Sequence, residues 1–491
     1  MASNFELGIT VDPKQNINTG FPREANSWYN YESAEKLLDN LEDLEDMITD
    51  FLTVQVPRLS ILASYASGHN EGISKKPPRL EENKADHRAR HNFAGFISIF
   101  NTGYLFGVPV KVSTSEEKEQ KAIDSFNKLN DIDELNSDLG YDCSRFGRAY
   151  ELHYRNENDE NRVALSSAFD TFVIYDPTVE HNPIAAVRLL RTYNKTETRV
   201  SVDLYTADKI YHFKECGINQ IKLTYDIDED VEEHFYGEVP IIEWYNNRFR
   251  QGDYETEITL IDLYDSGQSD TANYMSDLND AMLVIKGHLQ EADLTLEEAK
   301  SMKNANIMLL EYGTDSDGRG LPIDAHYIYK QYDVAGTEAY KKRLQADIHK
   351  FSHTPDFSDE NFSGQQTGVA MKYKLLGTDQ IRSMKEQTFT KAMNRRYQLL
   401  NNINVATFGT PINVKDIAIK FTENLPIDFW QDVQNYFRSG GKLSQQTLLG
   451  LLPWVGSYTE EMKRLEAEEG ADLPFYDREI KKPQDSEVED E

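Results

Sequence analysis

"VPIIEWYNNRFRQGDYETEITLIDLYDSGQSDTANYMSDLNDAMLVIKG" (residues 239–287) is where the chain changes period. Upstream, from about 148 to 245, short aromatic and β-branched runs such as "AYELHYR" (149–155) and "FVIYD" (172–176) are separated by Asn, Asp and Gly. These are strand and hairpin signals of a mostly antiparallel sheet. From 255 onward Ile258, Ile261, Tyr264, Ala272, Met275, Leu278, Met282 and Ile285 recur at helical spacing. The stretch 255–287 therefore predicts a single helix, roughly 50 Å long. Gly267 inside it costs about 1 kcal/mol relative to alanine. The other side carries Asp262, Asp265, Asp270, Asp277 and Asp280. Their spacing spreads them around the cylinder instead of converging on a metal, and they read as a solvated or channel-facing surface.

Downstream, "TLEEAKSMK" (295–303) predicts a short helix with Thr295 as cap and Glu298 completing a capping box. "ANIMLLEY" (305–312) and "AHYIYKQY" (325–332) read as two strands. The turn between them holds Asp315-Ser-Asp317-Gly318, which lacks the later ligands of a calcium loop. A second helix follows over 335–353, with Tyr340, Leu344, Ile348 and Phe351 on one face and Lys341, Lys342, Arg343, His349 and Lys350 on the other; Pro355 ends it. Two helices thus flank a small αββ insert, like a stalk with a tip. A third long helix is expected over 369–403, one strand within 413–426, further helices after 426, and a disordered acidic tail ending "KKPQDSEVEDE". Before the sheet, 34–66 is helical by spacing, and Pro57 should break or restart that helix. The polar, locally basic stretch 71–91 reads as a solvated loop and helix face, with a phosphate-contacting arm as the other reading.

The chain has 491 residues, 39% of them hydrophobic and 11% aromatic, enough for two to four cores, and a formal net charge of −32. Free-standing DNA-binding domains are usually basic, because phosphate neutralisation supplies their affinity. Two cysteines, Cys143 and Cys216, make neither a disulfide framework nor a metal cluster. The start "MASNFELGIT" is unlike a signal peptide, and the most apolar region (93–110) holds Asn101 and three glycines. A soluble cytosolic protein is expected, with no membrane contact.

"NFSGQQTGVAMKYKLLG" (361–377) looks at first like a phosphate cradle. A Walker A loop needs lysine directly after the second glycine; here Val369 follows Gly368 and the nearest lysine is Lys372. Hydrolase, zinc-protease and kinase signatures are absent, and the eleven histidines are scattered. No catalytic, cofactor or metal site is read. The segment has instead the composition of a mobile loop that feeds a helix, with Thr367 as its cap; on these residues alone an ordinary connection between helices is the other reading.

Several stretches carry a resemblance to the portal proteins of tailed bacteriophages, of the siphophage type that infects Gram-positive bacteria. They are "PRLSILASYASGHN" (57–70), "NTGYLFGVPV" (101–110), 239–255 with 260–287, "NFSGQQTGVAMKYKLLG", and "SGGKLSQQTLLGLLP" (439–453). The likeness covers nearly the whole chain in the same order. It implies an α+β fold in a ring oligomer, twelve subunits in the particle, with a wing (1–254), stem helices (255–287 and 335–353) and a clip (288–334). A tunnel loop (354–368) follows, then a long helix with a wing strand (369–424), a crown (425–470) and the acidic tail (471–491). The implied function is a non-enzymatic conduit at the capsid vertex for packaging and ejecting double-stranded DNA. Implied partners are the terminase large subunit, the major capsid and scaffolding proteins and a head-completion adaptor; the implied setting is the virion, and the host cytoplasm during assembly. Expected channel-loop residues are Asn361, Ser363, Gly364, Gln365, Gln366, Thr367 and Gly368. Lys341, Lys342 and Lys372 are expected as weak DNA contacts, and no cofactor is expected. The competing reading is a DNA-processing or nucleotide-binding phage enzyme.

Overall fold

The structure is a computed structural model. It describes residues 26–79, 84–193, 198–218, 220–277, 282–287, 301, 307–311, 324–328, 333–356, 375–422, 461–462 and 464–465. The chain divides into a unit of Met1–Leu425 and a second unit of Pro426–Glu491. The helices and strands named below all belong to the first unit.

Ser33 Oγ accepts from the Lys36 backbone N–H and starts α1 (Ala34–Asp39), and α2 (Leu41–Asp50) follows directly. Of the break or restart expected at Pro57, the structure shows the restart. A proline inside an α ladder would leave a carbonyl unpaired one turn back. The helix instead widens into a π turn over Phe51–Gln55 and resumes as α3 (Val56–Ala66), with the proline in its first turn, where no intrahelical donor is needed. After α4 (Glu71–Ser74) and an extended segment come α5 (Phe93–Phe106), β2 (Lys111–Ser113), α6 (Glu117–Leu129) and α7 (Ile132–Phe146).

The period-two region forms strands, as its alternation demands. β10 (Ile241–Tyr245), β3 (Arg148–Arg155) and β4 (Asn161–Ser166) make an antiparallel sheet. β5 (Thr171–Tyr175), β6 (Pro183–Tyr193), β7 (Thr198–Tyr205), β8 (Lys209–Gly217) and β9 (Val231–Glu233) make an antiparallel meander, to which β1 (Tyr29–Asn30) adds in parallel beside β5. Buried apolar side chains gather in three clusters. One lies under the meander and α1–α2, one joins α3, α5 and the sheet to the helices that follow it, and one packs α6, α7 and β10 on the last long helix.

The helix expected over 255–287 is shorter. α8 runs Ile258–Asp277, and Met282–Gly287 is a strand, β11. It pairs in parallel with β12 (Ile307–Glu311) and antiparallel with β13 (Asp324–Ile328), and Val284 is fully buried. The insert therefore has three strands, with β11 central. The "MLVIKG" run fits a helical face by spacing, but a central strand pairs its backbone on both sides and packs a β-branched residue inside. The expected helix at 295–303 and the turn at 313–324 lie almost wholly outside the described residues. α9 (Val334–Phe351), capped by Asp333 accepting from Gly336 N, returns along α8. α10 (Leu376–Ala406) is the longest helix described, and β14 (Ala418–Lys420) pairs with β2.

Gly147 closes α7 at φ 82°, and a Cβ there would lie 1.9 Å from the Arg250 carbonyl oxygen. The chain leaving β10 is pressed onto this glycine. Gly147→Ala is expected to destabilise the fold by more than about 2 kcal/mol, read as a lower urea midpoint with unchanged slope.

Candidate functional site: the helix hairpin and the foot of the expected channel loop

α8 is held on two sides by different chemistry. Its first turns bury Ile258, Ile261 and Tyr264 in the core. Its aspartate side is not the solvated surface that its composition suggests: Asp265 is fully buried, and Ser269 and Asn273 nearly so. An extended segment, 84–91, covers it. His91 N donates to Asp265 Oδ1 (3.0 Å), Ala89 N to Ser269 Oγ (2.9 Å) and His87 N to Asn273 Oδ1 (2.6 Å). Every second residue of the segment meets every fourth residue of the helix. Two extended residues advance about 6.6 Å and four helical ones about 6 Å, so the registers match over this length. Arg79 and Lys84 reach Asp277, Tyr65 OH donates to Asp262, and Asn70 donates to Asp265. Asp270 stays exposed. In the stretch 71–91, residues 74–78, 86, 87 and 90 stay exposed, as a solvated loop and helix face would be, while the backbone N–H groups of 87, 89 and 91 are taken up by α8.

α9 packs on the opposite side of α8. Gly267 faces this contact: a Cβ there would stand 3.6 Å from Lys341 Cγ, an ordinary contact distance, so the lysine stem lies against α8 at this position. Lys341 is 5% exposed, and its Nζ donates to Gln268 Oε1 and Thr271 Oγ1 and pairs with Glu338. Lys342, one residue on, is exposed. On the α9 face read as apolar, Leu344 and Ile348 are buried, whereas Tyr340 is 48% and Phe351 54% exposed.

Asn361, Ser363, Gly364, Gln365, Gln366, Thr367, Gly368 and Lys372 lie outside the described residues. The segments that flank them do not. Thr378 Oγ1 donates to the His353 carbonyl oxygen (2.6 Å), and His353 Nδ1 lies 3.1 Å from where a Cβ on Gly377 would stand. The end of α9 and the start of α10 are thereby pinned together at the foot of the expected loop.

α10 is fastened to the body at two buried ion pairs. Lys385 Nζ donates to Asp253, and Arg396 makes a bidentate pair with Glu151 (2.8 and 2.7 Å), both partners fully buried. Trp244 Nε1 donates to the same carboxylate (3.0 Å), His153 Nε2 lies 3.0 Å from it, and Arg396 also donates to Asn136. Burial pushes Glu151 upward, but the Arg396 guanidinium and the hydrogen bonds outweigh it and hold the carboxyl at about 2. Burial holds His153 below its ordinary range. Asp253 is likewise lowered, burial being outweighed by Lys385 and by donors from Asn246 and Ser144.

Among the described residues no group of three metal-ligating side chains converges, and no helix is long and apolar enough to cross a membrane. Asp253 and the His353–Thr378 pin carry no sequence signal of their own, and within the basic stretch 71–91 nothing marks 87, 89 and 91 as donors to α8. An alternation of ordinary polar residues facing a four-residue spacing elsewhere leaves no local signature.

The class to which this arrangement belongs is that of the phage portal proteins: a family model described as phage portal protein, SPP1 Gp6-like, matches residues 31–474. The chain belongs to that family. It is 23% identical over 410 residues to the portal protein of Bacillus phage SPP1, covering 79% of this chain and 77% of the relative. To the portal protein of Clostridium phage phiCD119 it is 24% identical over 405 residues, covering 78% and 85%. A solved structure described as the neck of an empty GTA particle, computed with C6 symmetry, superposes with a TM-score of 0.39 at 13% identity over 74% of this chain and 91% of that one.

Arg396→Met leaves Glu151 ionised and buried without its cation, an expected loss of about 3–5 kcal/mol near neutral pH. Glu151 is depressed from 4.5 to about 2, so its contribution is complete above 4.5 and is lost as pH falls toward 2. His153, held neutral, adds a loss below 6.5. Urea midpoints of the parent should therefore fall on acidification, and the gap between parent and Arg396→Met should narrow.

Proposed function

We propose that the chain is the subunit of a portal ring at one vertex of a phage capsid, through which double-stranded DNA is packaged and later ejected. The observation that carries this reading is the family match over 31–474. In this reading the two sheets and α1–α7 form the wing, α8 and α9 the stem, and the three-stranded insert the clip. The clip would dock the terminase large subunit during packaging and a head-completion adaptor afterwards, and the wing would meet the major capsid and scaffolding proteins. Residues 354–368 form the tunnel loop, with Asn361, Ser363, Gly364, Gln365, Gln366, Thr367 and Gly368 as neutral, exchangeable contacts to the DNA backbone. Residues 425–470 form the crown. The ring acts without catalysis, as virion hardware assembled in the host cytoplasm, and holds twelve copies in the particle.

The charge supports a conduit. A wall that bound many phosphates would hold DNA in a tight, salt-dependent grip. At −32 per subunit the ring as a whole repels the duplex instead. Lys342 and Lys372 are the basic residues assigned to intermittent phosphate contact, whereas Lys341 serves as a strut between the stem helices.

Purified protein should appear in negative stain as rings with a central hole. Deleting 361–366 should leave rings and particles that form but fail to fill with DNA or to retain it. A monomer at every concentration and salt, or normal filling by the deletion variant, would refute the respective part. ATPase or nuclease activity abolished by Lys372→Ala would return the enzyme reading.

A further inference from the structure

The last turn of α9 and the first turns of α10 sit on one helix, α5. Along one side α5 carries Phe93, Phe96, Phe100 and Tyr104 at steps of three and four residues. The rings of Phe96, Phe100 and Tyr104 stack in succession, with centroids 6.3 and 5.9 Å apart. His349, near the end of α9, sets its ring edge-on against Phe93 and Phe96 (5.9 and 5.7 Å). At the other end of this ladder Arg382 of α10 lays its guanidinium over Tyr104 (5.8 Å). Asn101, Tyr104 and Leu105 of α5 line a small recess there with Thr378, Ile381 and Lys385 of α10. Ile97 of α5 and Ile348 of α9 are fully buried in the same core, so the seat belongs to the body of the protein.

On this seat the two helix ends are also joined to each other. α9 finishes in a left-handed turn: His353 has φ 54°, and Thr354 N donates back to the His349 carbonyl oxygen (3.0 Å). Glycine usually takes the left-handed position of such a wrap. Histidine stands here instead, and its side chain lies along Gly377, where a Cβ would come within 3.1 Å of His353 Nδ1. Thr378 Oγ1 closes the contact on the His353 carbonyl oxygen (2.6 Å). Beside it the hydroxyls of Ser352 and Thr354 are 2.7 Å apart, and His349 Nδ1 lies 3.3 Å from Thr354 Oγ1, all three residues being buried. Parting the ends would break the Thr378 bond and lift Thr378 and Leu375, each 5% exposed, from their places. A hinge is built differently, from a few residues free to absorb a change of φ and ψ.

We propose that the His353–Gly377–Thr378 contact is a permanent joint: the ends of α9 and α10 stay together on α5 while DNA passes, and the channel loop works from a fixed base. The proposal rests on the conduit reading above. It makes Thr378, through its hydroxyl, a positioning residue for that loop.

The test uses the full chain in assembled particles. In a variant carrying His353→Cys and Gly377→Cys the two Cβ atoms would stand 3.9 Å apart, inside the roughly 3.5–4.5 Å that a disulfide spans. Oxidised rings of this variant should fill particles with DNA and retain it as the reduced rings do. Thr378→Val keeps the shape and removes the hydroxyl. It should leave rings intact, speed hydrogen exchange at the Thr354 and Asp379 amides by about fivefold and lower DNA retention by a similar factor. Thr378→Ser should behave as the parent, and the disulfide placed in the Thr378→Val background should restore retention. Oxidised rings that fail to fill where reduced rings fill show that the ends must part, and overturn the joint. A Thr378→Val ring that retains DNA like the parent overturns it too, as does a loss shared by Thr378→Ser and not restored by the disulfide. These outcomes leave the conduit reading standing. Should Thr378→Val fail to fold, the oxidised pair decides alone. Particles that never fill even with the parent chain overturn the conduit reading, and the role of the joint with it.

Discussion

Asp253 is the carboxylate on which the arrangement of the chain depends. It accepts hydrogen bonds from Asn101 of α5, Ser144 of α7, Asn246 just after β10 and Lys385 of α10. Its own N–H donates to the Ser144 carbonyl (2.8 Å). Gly252 beside it leaves no room for a side chain: a Cβ would stand 2.5 Å from the Arg145 carbonyl oxygen. Two residues later, Glu255 takes a bidentate pair from Arg58 of α3 (2.9 and 2.5 Å), which also reaches the Phe146 and Arg250 carbonyls. The turn from sheet into α8 is thereby fixed by donors from elements far apart in sequence. Burying such charges gains little net stability, because desolvation offsets attraction. What it specifies is direction: an apolar junction would tolerate sliding, whereas these groups are satisfied in one geometry only. The hairpin and its three-stranded tip inherit that direction.

The sequence carried the period change near 245 plainly, and the mixed helix-and-sheet body follows from it. Where reading failed, the deciding contact was distant. Met282 and Ile285 continue the spacing of Ile258 and Ile261, but strand partners at 307–311 and 324–328 claim them. The aspartates of α8 looked solvated because nothing within the helix reveals that 84–91 lies across them. Lys341 and Lys342 are indistinguishable as letters; the packing of α9 on α8 buries the first and leaves the second exposed. Pro57 signalled an interruption correctly in kind, and the helix absorbed it as a π turn instead of a break. The family resemblance reached further than local rules because it rests on whole stretches in order, which encode such distant contacts jointly.

The two-sided clamp on α8 explains how a helix with modest apolar content stays in place. Beyond Tyr264 its apolar stripe leaves the core, and Met275 is 51% exposed. From there the helix is held by backbone donors of 87, 89 and 91 and by the Lys341 strut. A purely apolar groove would let the helix rotate or shift by part of a turn. Acceptors spaced at four residues fix both rotation and axial position, since a one-residue slip would strand all three N–H groups at once.

In the proposed ring the same charge that keeps DNA from sticking also sets subunit against subunit. Each copy carries −32, although Arg58, Lys385 and Arg396 are each matched to a buried acid within the chain. Like-charged bodies of this kind have little to gain from further polar contacts across an interface, and salt only weakens the repulsion. The attraction that closes a ring must then come from apolar area, which is insensitive to that field. An acidic subunit in such a ring thus faces two demands at once: repulsion toward the duplex in the channel, and cohesion around it that does not depend on charge.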